Sequence, residues 1–437
     1  MLDIKFIREH TAELKEAVKN KGIKLDLDEL LEVDKERVAL TREAELFNRS
    51  KNELSDRISK AKDETERKAL IQEGRGLKEP DLKNLDGVKK RFDELMAKVP
   101  TIPSPDTPVG RDESGNKEIF RWGEPKEFDF EPKNHIELGK ALDILDFDRG
   151  GKVGGFRGYY LKNDGVLLTI GLMMYALNKM VSRGFTPMIP PTLVKQFALF
   201  GSGYFKGLEY DPNIDEIYQV ATSDKEATGE ISKDKKFLVG TAEPSLLAYY
   251  AGEVLEGKNL PVKLCGYSQC YRSEIGSYSK DVKGLYRVHE FMKVEQVAIV
   301  EANIEEANKL QDEMTSISGE MHEELGLTYR RLQICTGDMS PGKYRAFDLE
   351  AWLPGMKRWA ETGSASNFLD WQSRRLNIKY VDGPEERKYV YMLNNTALPS
   401  PRVLIAILEN YQTKDGDIVV PEVLRGYLGK ELIKKPR

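Results

Sequence analysis

The chain has 437 residues, 40% of them hydrophobic and 32% charged, and its formal net charge is −5. This composition is typical of a soluble globular protein, and the length favours two domains over a single core. A net charge of −5 argues against a protein that binds polyanions over its whole surface. The longest apolar run, residues 166–177, is too short to span a bilayer, so we expect no membrane partner.

The three cysteines are typical of a protein from a reducing compartment. Cys265 and Cys270 are five residues apart, which matches no standard zinc pattern, so we expect both to pack in the core. Charges interrupt the first 18 residues every few positions, which does not fit a signal peptide. We read no targeting signal and expect a cytoplasmic protein.

The first long element is a predicted helix from about residue 28 to residue 62, which contains neither Gly nor Pro. Apolar residues recur there in a heptad seam with one polar interruption. The seam consists of Leu40, Ala44, Phe47, Lys51, Leu54, Ile58 and Ala61, and a second segment repeats it with Leu82, Leu85, Phe92, Leu95 and Val99. We therefore predict a projecting hairpin of two long antiparallel helices.

Gly74, Gly76, Pro80 and Gly87 lie between and within these seams and predict an irregular first half of the return helix. Residues 1–100 carry 23 basic and 23 acidic side chains. A neutral segment permits nucleic-acid contact through a local basic face but does not demonstrate it.

A linker is predicted at residues 100–116, which are rich in Pro, Gly and Asp. Beyond it, short apolar strands are mixed with compact helices such as 165–183 and 402–411, which favours an α+β domain. We place the boundary so that residues 1–104 form the helical domain and residues 105–437 form the second domain.

A polar ladder is predicted on the second strand of a hairpin. Read as a strand, the segment LYRVHEFMKVEQVAIV places Arg287, His289, Phe291, Lys293 and Glu295 on one face. Plain solvation of a charged face is the simpler interpretation, but it leaves Phe291 in water. A ring beside guanidinium groups suits a nucleobase that carries phosphates. No P-loop sequence occurs, so any nucleotide is held in another way.

Arg402 falls in the first turn of the predicted helix that Pro401 opens. A cation there opposes the helix dipole, and an anion that bridges Arg402 and the free backbone N–H groups would resolve the conflict. An ordinary surface arginine near a loop is an equally good interpretation of this residue alone.

Six segments carry a family resemblance: GFTPMIPPTLV (184–194), YRSEIGS to HEFMKVE, NNTALPSPRVLIAILENYQ, the Thr241–Glu243 loop, residues 361–380 and the helical hairpin. Together they resemble the class II aminoacyl-tRNA synthetases, with the first three as motifs 1, 2 and 3, and their order and spacing resemble bacterial-type seryl-tRNA synthetases over essentially the whole chain. The implied fold is an antiparallel β-sheet core flanked by helices, with an N-terminal coiled-coil arm.

The resemblance implies an ATP site. Arg272 contacts the α-phosphate and the substrate carboxylate, Glu274 accepts from the adenine amino group, and adenine stacks between Phe291 and Arg402. The implied catalytic residues are therefore Arg272 and Arg402. The full implied ATP-binding set is Arg272, Ser273, Glu274, Val288, Phe291, Glu361, Thr362, Gly363, Ser364 and Arg402.

Glu361 and Ser364 are the implied Mg²⁺ ligands, although a carboxylate and a hydroxyl that simply end a strand are an open alternative. Gly363 and Ala365 stand where many relatives carry Ser and Cys, which is a departure from the family pattern. The implied serine-binding set is Thr241, Ala242, Glu243, Arg272, Glu295, Asn394 and Thr396. For Thr241, a helix N-cap is the alternative interpretation.

The implied activity is that of a serine–tRNA ligase with ATP, L-serine and tRNA(Ser) as partners, and tRNA(Sec) as a further substrate is left open. A homodimer through motif 1 and phosphate contacts from arm cations are also implied. Those cations are Arg42, Arg49, Lys51, Arg57 and Lys60. The alternatives are a paralogue that activates another small amino acid or loads a different carrier, a non-catalytic regulator, and a coiled-coil structural protein.

Overall fold

The computed structural model describes residues 2–77, 80–221, 224–232, 234–275, 284–383 and 386–435. Most of the connection that we predict between the two hairpin strands, residues 276–283 including Gly276, lies outside the described residues.

The predicted arm is present and is built around one long helix, α3. Its seam residues Ala44 and Leu54 are buried and Leu40, Phe47 and Ile58 are partly buried, whereas Lys51 is exposed, so the heptad prediction is confirmed. Asp26 begins α3 by accepting from the N–H groups of the first turn. The helices of this region are α1 (Ile4–Glu9), α2 (Thr11–Asn20), α3 (Leu27–Lys60), α4 (Glu64–Arg75) and α5 (Leu82–Met96).

The return half of the hairpin differs from the prediction in where it breaks. Gly74 lies inside α4 and Gly87 inside α5, so neither ends a helix. The break falls between the two helices, around Gly76 and Pro80, where proline cannot continue a helix. Leu85 and Leu95 face α3 as predicted, but Leu82 at the start of α5 is half exposed.

The base of the arm is fastened to the rest of the chain by polar contacts. Lys21 is buried, and its ammonium donates to the carbonyl oxygens of Pro341 at 3.0 Å and Lys343 at 2.6 Å. Trp371 Nε1 donates to the Val99 carbonyl, and an Arg375 N–H donates to the Ala97 carbonyl. Lys21 thus joins the arm base to the loop at residues 340–343, and the residues after α5 are joined to the helix Trp371–Leu376.

Residues beyond the linker form an eight-stranded sheet in the order β1-β11-β12-β13-β16-β10-β9-β4, antiparallel except for the β4–β9 pair. This confirms the predicted α+β class with an antiparallel core. Its strands are β1 (Lys117–Trp122), β4 (Thr186–Met188), β9 (Val262–Tyr271), β10 (Glu290–Val300), β11 (Tyr329–Gln333), β12 (Arg345–Leu353), β13 (Arg358–Asn367) and β16 (Tyr391–Pro399).

Short strands form smaller sheets around this core. They are β2 (Leu145–Asp146), β3 (Tyr160–Leu161), β5 (Leu193–Lys195), β6 (Tyr218–Val220), β7 (Lys236–Leu238), β8 (Val254–Glu256), β14 (Lys379–Val381), β15 (Lys388–Tyr389), β17 (Ile418–Val419) and β18 (Leu432–Ile433).

Helices cover the large sheet and bury its apolar side chains. Gln296 of β10 and Asn395 of β16 both hydrogen-bond the Met314 carbonyl of α11, so α11 packs on the face that these two side chains share. The helices are α6 (His135–Ala141), α7 (Phe147–Gly154), α8 (Asp164–Ser182), α9 (Gln196–Ser202), α10 (Glu243–Ala248), α11 (Ile304–Glu324), α12 (Trp371–Leu376), α13 (Ser400–Asn410) and α14 (Glu422–Leu428).

Helix α8 (Asp164–Ser182) confirms the helix predicted at residues 165–183 and extends beyond the apolar run at residues 166–177. It is the helix in the described part of the chain that is long and apolar enough to cross a membrane by length and composition. Half of it is buried, with Leu168, Leu172 and Ala176 in the main core. This agrees with the expected core helix. The two hairpin cysteines, Cys265 and Cys270, are free and buried in the same core.

Candidate active site

The predicted polar face lies on one side of β10. Phe291, Lys293 and Glu295 line two adjoining cavities, whereas Gln296 faces α11. The strand begins only at Glu290, so the prediction that residues 286–288 continue it is wrong. The N–H of Leu285 donates to His135 Nε2 instead of to a strand neighbour.

The first cavity brings the predicted cations and the ring together. Arg272, Phe291 and Arg402 all line it, and the Arg272 guanidinium lies 5.5 Å from the Phe291 ring centroid. The Arg402 guanidinium lies 4.6 Å from the ring centroid of Tyr286, which the sequence analysis did not select. Val288 completes the wall. Guanidinium groups beside aromatic rings make this a slot for a flat, electron-rich ligand.

Glu274 lies at the edge of the same cavity in a left-handed conformation, with φ 54°. Its carboxylate accepts from Arg287 at 2.7 Å, and Arg157 lies 3.9 Å away. The two cations hold the side chain in place. Because a carboxylate has lone pairs for about four hydrogen bonds, Glu274 keeps acceptor capacity for a ligand.

Arg402 is not the ordinary surface residue that we left open. It lies in the first turn of α13, and its Nη1 donates to the carbonyl oxygen of Glu361 and forms an ion pair with the carboxylate of the same residue, each at 3.0 Å. Burial opposes the charge on Arg402, but Glu361 outweighs it and raises the pKa of the guanidinium. Burial likewise raises the pKa of Glu361, but Arg402 and Arg272 outweigh it and hold that pKa below its usual range.

A bulge in β13 gives Glu361 and Ser364 the same orientation. Residues three apart on a regular strand point to opposite faces. Between the pairs Glu350–Glu361 and Leu349–Gly363 the register shifts by one, and Thr362 is the extra residue. Glu361 and Ser364 consequently both line the second cavity. The Thr362 hydroxyl points away, 2.8 Å from His322 Nε2 on α11.

Asp348 lines neither cavity but lies next to Ser364, and the sequence analysis did not select it. It pairs with Ser364 across β12 and β13, and burial together with nearby Glu361 raises the pKa of its carboxyl to about 7. Carboxylates and hydroxyls are the hard ligands that Mg²⁺ prefers. The oxygens of Asp348, Glu361 and Ser364 therefore fit a divalent cation. No group of three or more His, Cys, Asp or Glu side chains suited to a metal occurs among the described residues.

A small polar pocket lies at the deep end of the second cavity. Lys293 Nζ is 2.6 Å from a Glu295 carboxylate oxygen, and the Thr396 hydroxyl donates to the same oxygen at 3.4 Å. All three side chains are buried. Asn394 lines the cavity beside them.

Glu243 borders this pocket but is already hydrogen-bonded. Its carboxylate accepts from Asn394 at 2.6 Å, Gln372 at 2.7 Å and the Tyr204 hydroxyl at 3.1 Å. Burial and then the charge of Glu295 raise the pKa of Glu243. Gln372 and Tyr204 were not predicted, because they act by hydrogen-bonding Glu243 and no local sequence motif identifies such a partner.

The remaining predicted residues have different environments. Thr241 is buried, its hydroxyl has no partner among the described residues, and the preceding carbonyl of Gly240 accepts from Arg272 at 3.4 Å. It is not a helix cap, because α10 begins after Ala242 without a side-chain cap. The methyl group of Ala242 packs in an apolar cluster with Leu246. The Ser273 hydroxyl is buried away from both cavities.

The second cavity has a volume of about 710 Å³ and extends from the pocket at Glu295 to the base of the arm. Arg272, Lys293, Glu361 and Thr396 line both cavities, so the two form one continuous site. Along the joined cavities, the site presents first a slot for a planar group, then cationic side chains and then a small polar pocket.

Two family models and several full-length relatives match the chain. Residues 1–103 match the family model of the seryl-tRNA synthetase N-terminal domain, and residues 222–411 match that of the class II tRNA synthetase core domain (G, H, P, S and T). The serine–tRNA ligases of Deinococcus radiodurans and Rubrobacter xylanophilus are 40% and 38% identical to the chain, and each match covers the whole of both chains.

Solved structures are similar over the full length. The seryl-tRNA synthetase of Pyrococcus horikoshii complexed with ATP has a TM-score of 0.85 at 33% identity and covers both chains completely. The cytoplasmic serine–tRNA ligase of Naegleria fowleri in complex with AMP has a TM-score of 0.83 at 28% identity, covering 100% of this chain and 99% of that one. The fold, the site and these full-length relatives show that the chain belongs to the seryl-tRNA synthetases, within class II.

Proposed function

We propose that the protein is a serine–tRNA ligase, which activates L-serine with ATP and transfers the seryl group to the 3′ end of tRNA(Ser). The observation that carries this is the convergence of Arg272, Phe291, Glu361 and Arg402 on one site with a buried polar pocket beside it.

ATP occupies the first cavity in this proposal. Adenine lies on the Phe291 ring with Arg402 over its other face, and Glu274 accepts from the adenine amino group. Arg272 binds the α-phosphate, because a permanently charged planar fork pairs well with phosphate oxygens. The backbone at Val288 contacts the base edge.

Serine occupies the deep pocket. Glu295 receives the α-ammonium group, and Thr241 and Thr396 offer hydroxyl groups to the side chain. The Thr241 hydroxyl is buried without a partner among the described residues, which costs about 1–3 kcal/mol until a ligand satisfies it, but Thr241 lines neither cavity, so Thr396 carries most of this placement. The same argument makes alanine a poor substrate, because it leaves these groups unpaired.

Glu361 and Ser364 hold Mg²⁺ in this proposal, with Asp348 close behind Ser364. When bound, the metal supplies positive charge near the phosphates. The two neighbouring carboxylates and the hydroxyl support this assignment, as does the raised pKa of Asp348, which reflects burial and the nearby charge of Glu361.

The first step joins serine to AMP. A serine carboxylate oxygen attacks the α-phosphorus, the bond from that phosphorus to the bridging oxygen breaks, and pyrophosphate leaves. Arg272 holds both anions together and offsets the charge that develops, while Arg402 fixes the nucleotide. In the second step the terminal 3′-hydroxyl attacks the seryl carbonyl, and AMP leaves. The side chains work by positioning and electrostatics rather than as a general base.

The arm binds the tRNA in this proposal. Arg49, Arg57 and Lys60 pair with acidic neighbours on the arm, whereas Arg42 and Lys51 form no ion pair with a described residue. Arg42 also lines a surface groove with Val38 and Leu46. We therefore place Arg42 and Lys51 first among the five predicted phosphate contacts.

We also propose a homodimer formed around motif 1. An exposed apolar stripe on α8 supports it: Leu167, Ile170, Met174 and Val181 are 43–49% exposed although they lie on a core helix. Ile189, which belongs to motif 1, is 84% exposed. Apolar patches of this kind mark interaction surfaces.

The boundary between residues 1–104 and 105–437 and the cytoplasmic location are part of the same proposal. The change from arm helices to sheet near residue 100 supports the boundary. The three free cysteines support a reducing compartment.

Serine-dependent exchange of labelled pyrophosphate into ATP tests the assignment. We expect exchange with serine and at most a trace with threonine, alanine or glycine. Absence of exchange with serine would overturn the proposed activity, and stronger exchange with another amino acid would favour the paralogue.

A further inference from the structure

The outer part of the second cavity lies between the arm base and the catalytic region of the same chain. Ile23, Lys24, Ala97 and Lys98 form one wall, and Lys206 and the loop at residues 340–343 form the other. None of these residues belongs to the ATP or serine sites described above.

Four lysines from separate segments converge on this space. Lys24 precedes α3, Lys98 follows α5, Lys206 follows α9 and Lys343 precedes β12. None of the four forms an ion pair with a residue in the described ranges, although the chain as a whole is acidic. Bringing like charges together around a concave space is unfavourable unless an anionic ligand occupies it.

A fifth cation, Arg375, also lines the second cavity and adds to its positive charge. It lies 3.6 Å from the Trp371 ring centroid, and its buried Nε–H has no acceptor among the described residues. Three carboxylates also line the cavity, but Glu243 and Glu295 are occupied in the deep pocket and Glu361 pairs with Arg402. Glu361 and Asp348 also offset part of the charge of Lys343, which favours their ionised forms, whereas Lys24, Lys98 and Lys206 pair with no carboxylate among the described residues.

ATP does not account for these lysines. Its site lies at the opposite end of the cavity, where Arg272 and Arg402 already face the phosphates. The second substrate is also a polyanion, and its terminal ribose must reach the seryl group through an opening to solvent.

We propose that Lys24, Lys98, Lys206 and Lys343 bind the backbone phosphates of the last unpaired nucleotides at the 3′ end of the RNA substrate. The N-terminal region thus forms part of the acceptor-end site of its own chain, in addition to its distant arm. This inference rests on the proposed aminoacylation activity. The hydrogen bonds that fasten residues 340–343 to Lys21 fix the two walls before the RNA arrives, which lowers the cost of binding.

The double variant Lys24→Ala/Lys98→Ala tests the proposal. We expect kcat/KM for tRNA to fall at least about tenfold, and the slope of log affinity against log salt to decrease by about 1.4, since each single-strand phosphate contact contributes about 0.7. Serine-dependent pyrophosphate exchange should stay within about twofold of wild type. The control is Lys5→Ala/Lys19→Ala, which removes two exposed lysines of the same region that do not line the cavity.

Three results would contradict this. If charging of tRNA is unchanged while exchange with serine is normal, the lysines do not bind the acceptor end and the proposed activity still stands. If the KM for ATP rises in the exchange assay, the lysines serve ATP instead. If the control variant loses as much charging as the test variant, the effect is general charge loss. Failure of the wild type to exchange with serine would remove the activity itself.

Discussion

Asp348 and Glu361 are carboxylates on neighbouring strands, yet their pKa values move in opposite directions. Two arginines lower the pKa of Glu361, whereas desolvation and the charge of Glu361 raise that of Asp348. A sequence motif identifies Glu361 because it lies in a recognisable segment. It cannot identify Asp348, because alternation along β12 does not distinguish an acid at a site from one at a surface.

Gly284 is a residue whose substitution should disturb nucleotide binding. It has φ 89°, and a Cβ there would lie 2.3 Å from His135 Nε2. We expect Gly284→Ala to strain the chain entering Tyr286 and Val288 by about 1–3 kcal/mol and to raise the KM for ATP roughly tenfold. The control is Gly151→Ala, where a Cβ meets nothing within 4 Å. Equal KM values for ATP in the two variants would argue against this role.

Because of His322, we expect the folded protein to become less stable in acid. Burial lowers its pKa from 6.5 to about 4, so the unfolded chain binds a proton more readily than the folded one between these values. The free energy of unfolding should therefore fall as the pH drops from about 6.5 to 4, by up to about 3 kcal/mol from this group. Urea unfolding of wild type and His322→Asn across this range measures it, and parallel curves for the two proteins would refute the assignment.

At the level of elements, the bulge in β13 explains why spacing alone misleads. Glu361 and Ser364 belong on opposite faces of a regular strand, and only the extra residue Thr362 brings them together. The family resemblance named both residues, but periodicity would have rejected the pair. Bulges depend on pairing with a partner strand, which the local sequence does not encode. Space is also open at Gly363, where a Cβ would meet Thr396 O at 3.6 Å, so the family's serine fits there.

Docking of the arm base on the sheet domain should depend on pH through Lys21. Burial, and then the charge of Lys343, lower the pKa of Lys21 from 10.5 to about 7. The unfolded state thus binds more protons between pH 7 and 10.5, and stability should rise with pH across that window. Thermal unfolding of wild type and Lys21→Met at pH 7 and pH 9.5 checks this. The Tm of the wild type should rise relative to that of Lys21→Met at pH 9.5. A Tm difference that is the same at both pH values would contradict the effect.

At the scale of the whole molecule, long-period signals were predictable and contacts between distant segments were not. The heptad seam predicted α3 almost to the residue, and the apolar pattern of α13 placed Arg402 at a helix start. The junction at Lys21, Ala97 and Trp371 joins residues more than 270 positions apart. The local sequence around each of these residues does not indicate which distant residue it contacts.

The stripe on α8 makes assembly testable. We expect Ile170→Asp to shift the protein from dimer towards the 49.7 kDa monomer in sedimentation velocity, because a charge in an apolar interface is costly to desolvate. Val109→Asp is the matched control, since Val109 is 71% exposed and lies outside α8 and motif 1. A wild type that sediments as a monomer would contradict the proposed dimer, and so would an Ile170→Asp variant with undiminished mass.

The 34 residues of α3 form a helix about 50 Å long whose base is anchored beside the active site. A sideways shift of about 5 Å at its free tip rotates such a rod by only about 6°. The tip of α3 can thus adjust to large ligands of different shapes while its base, next to the active site, moves very little.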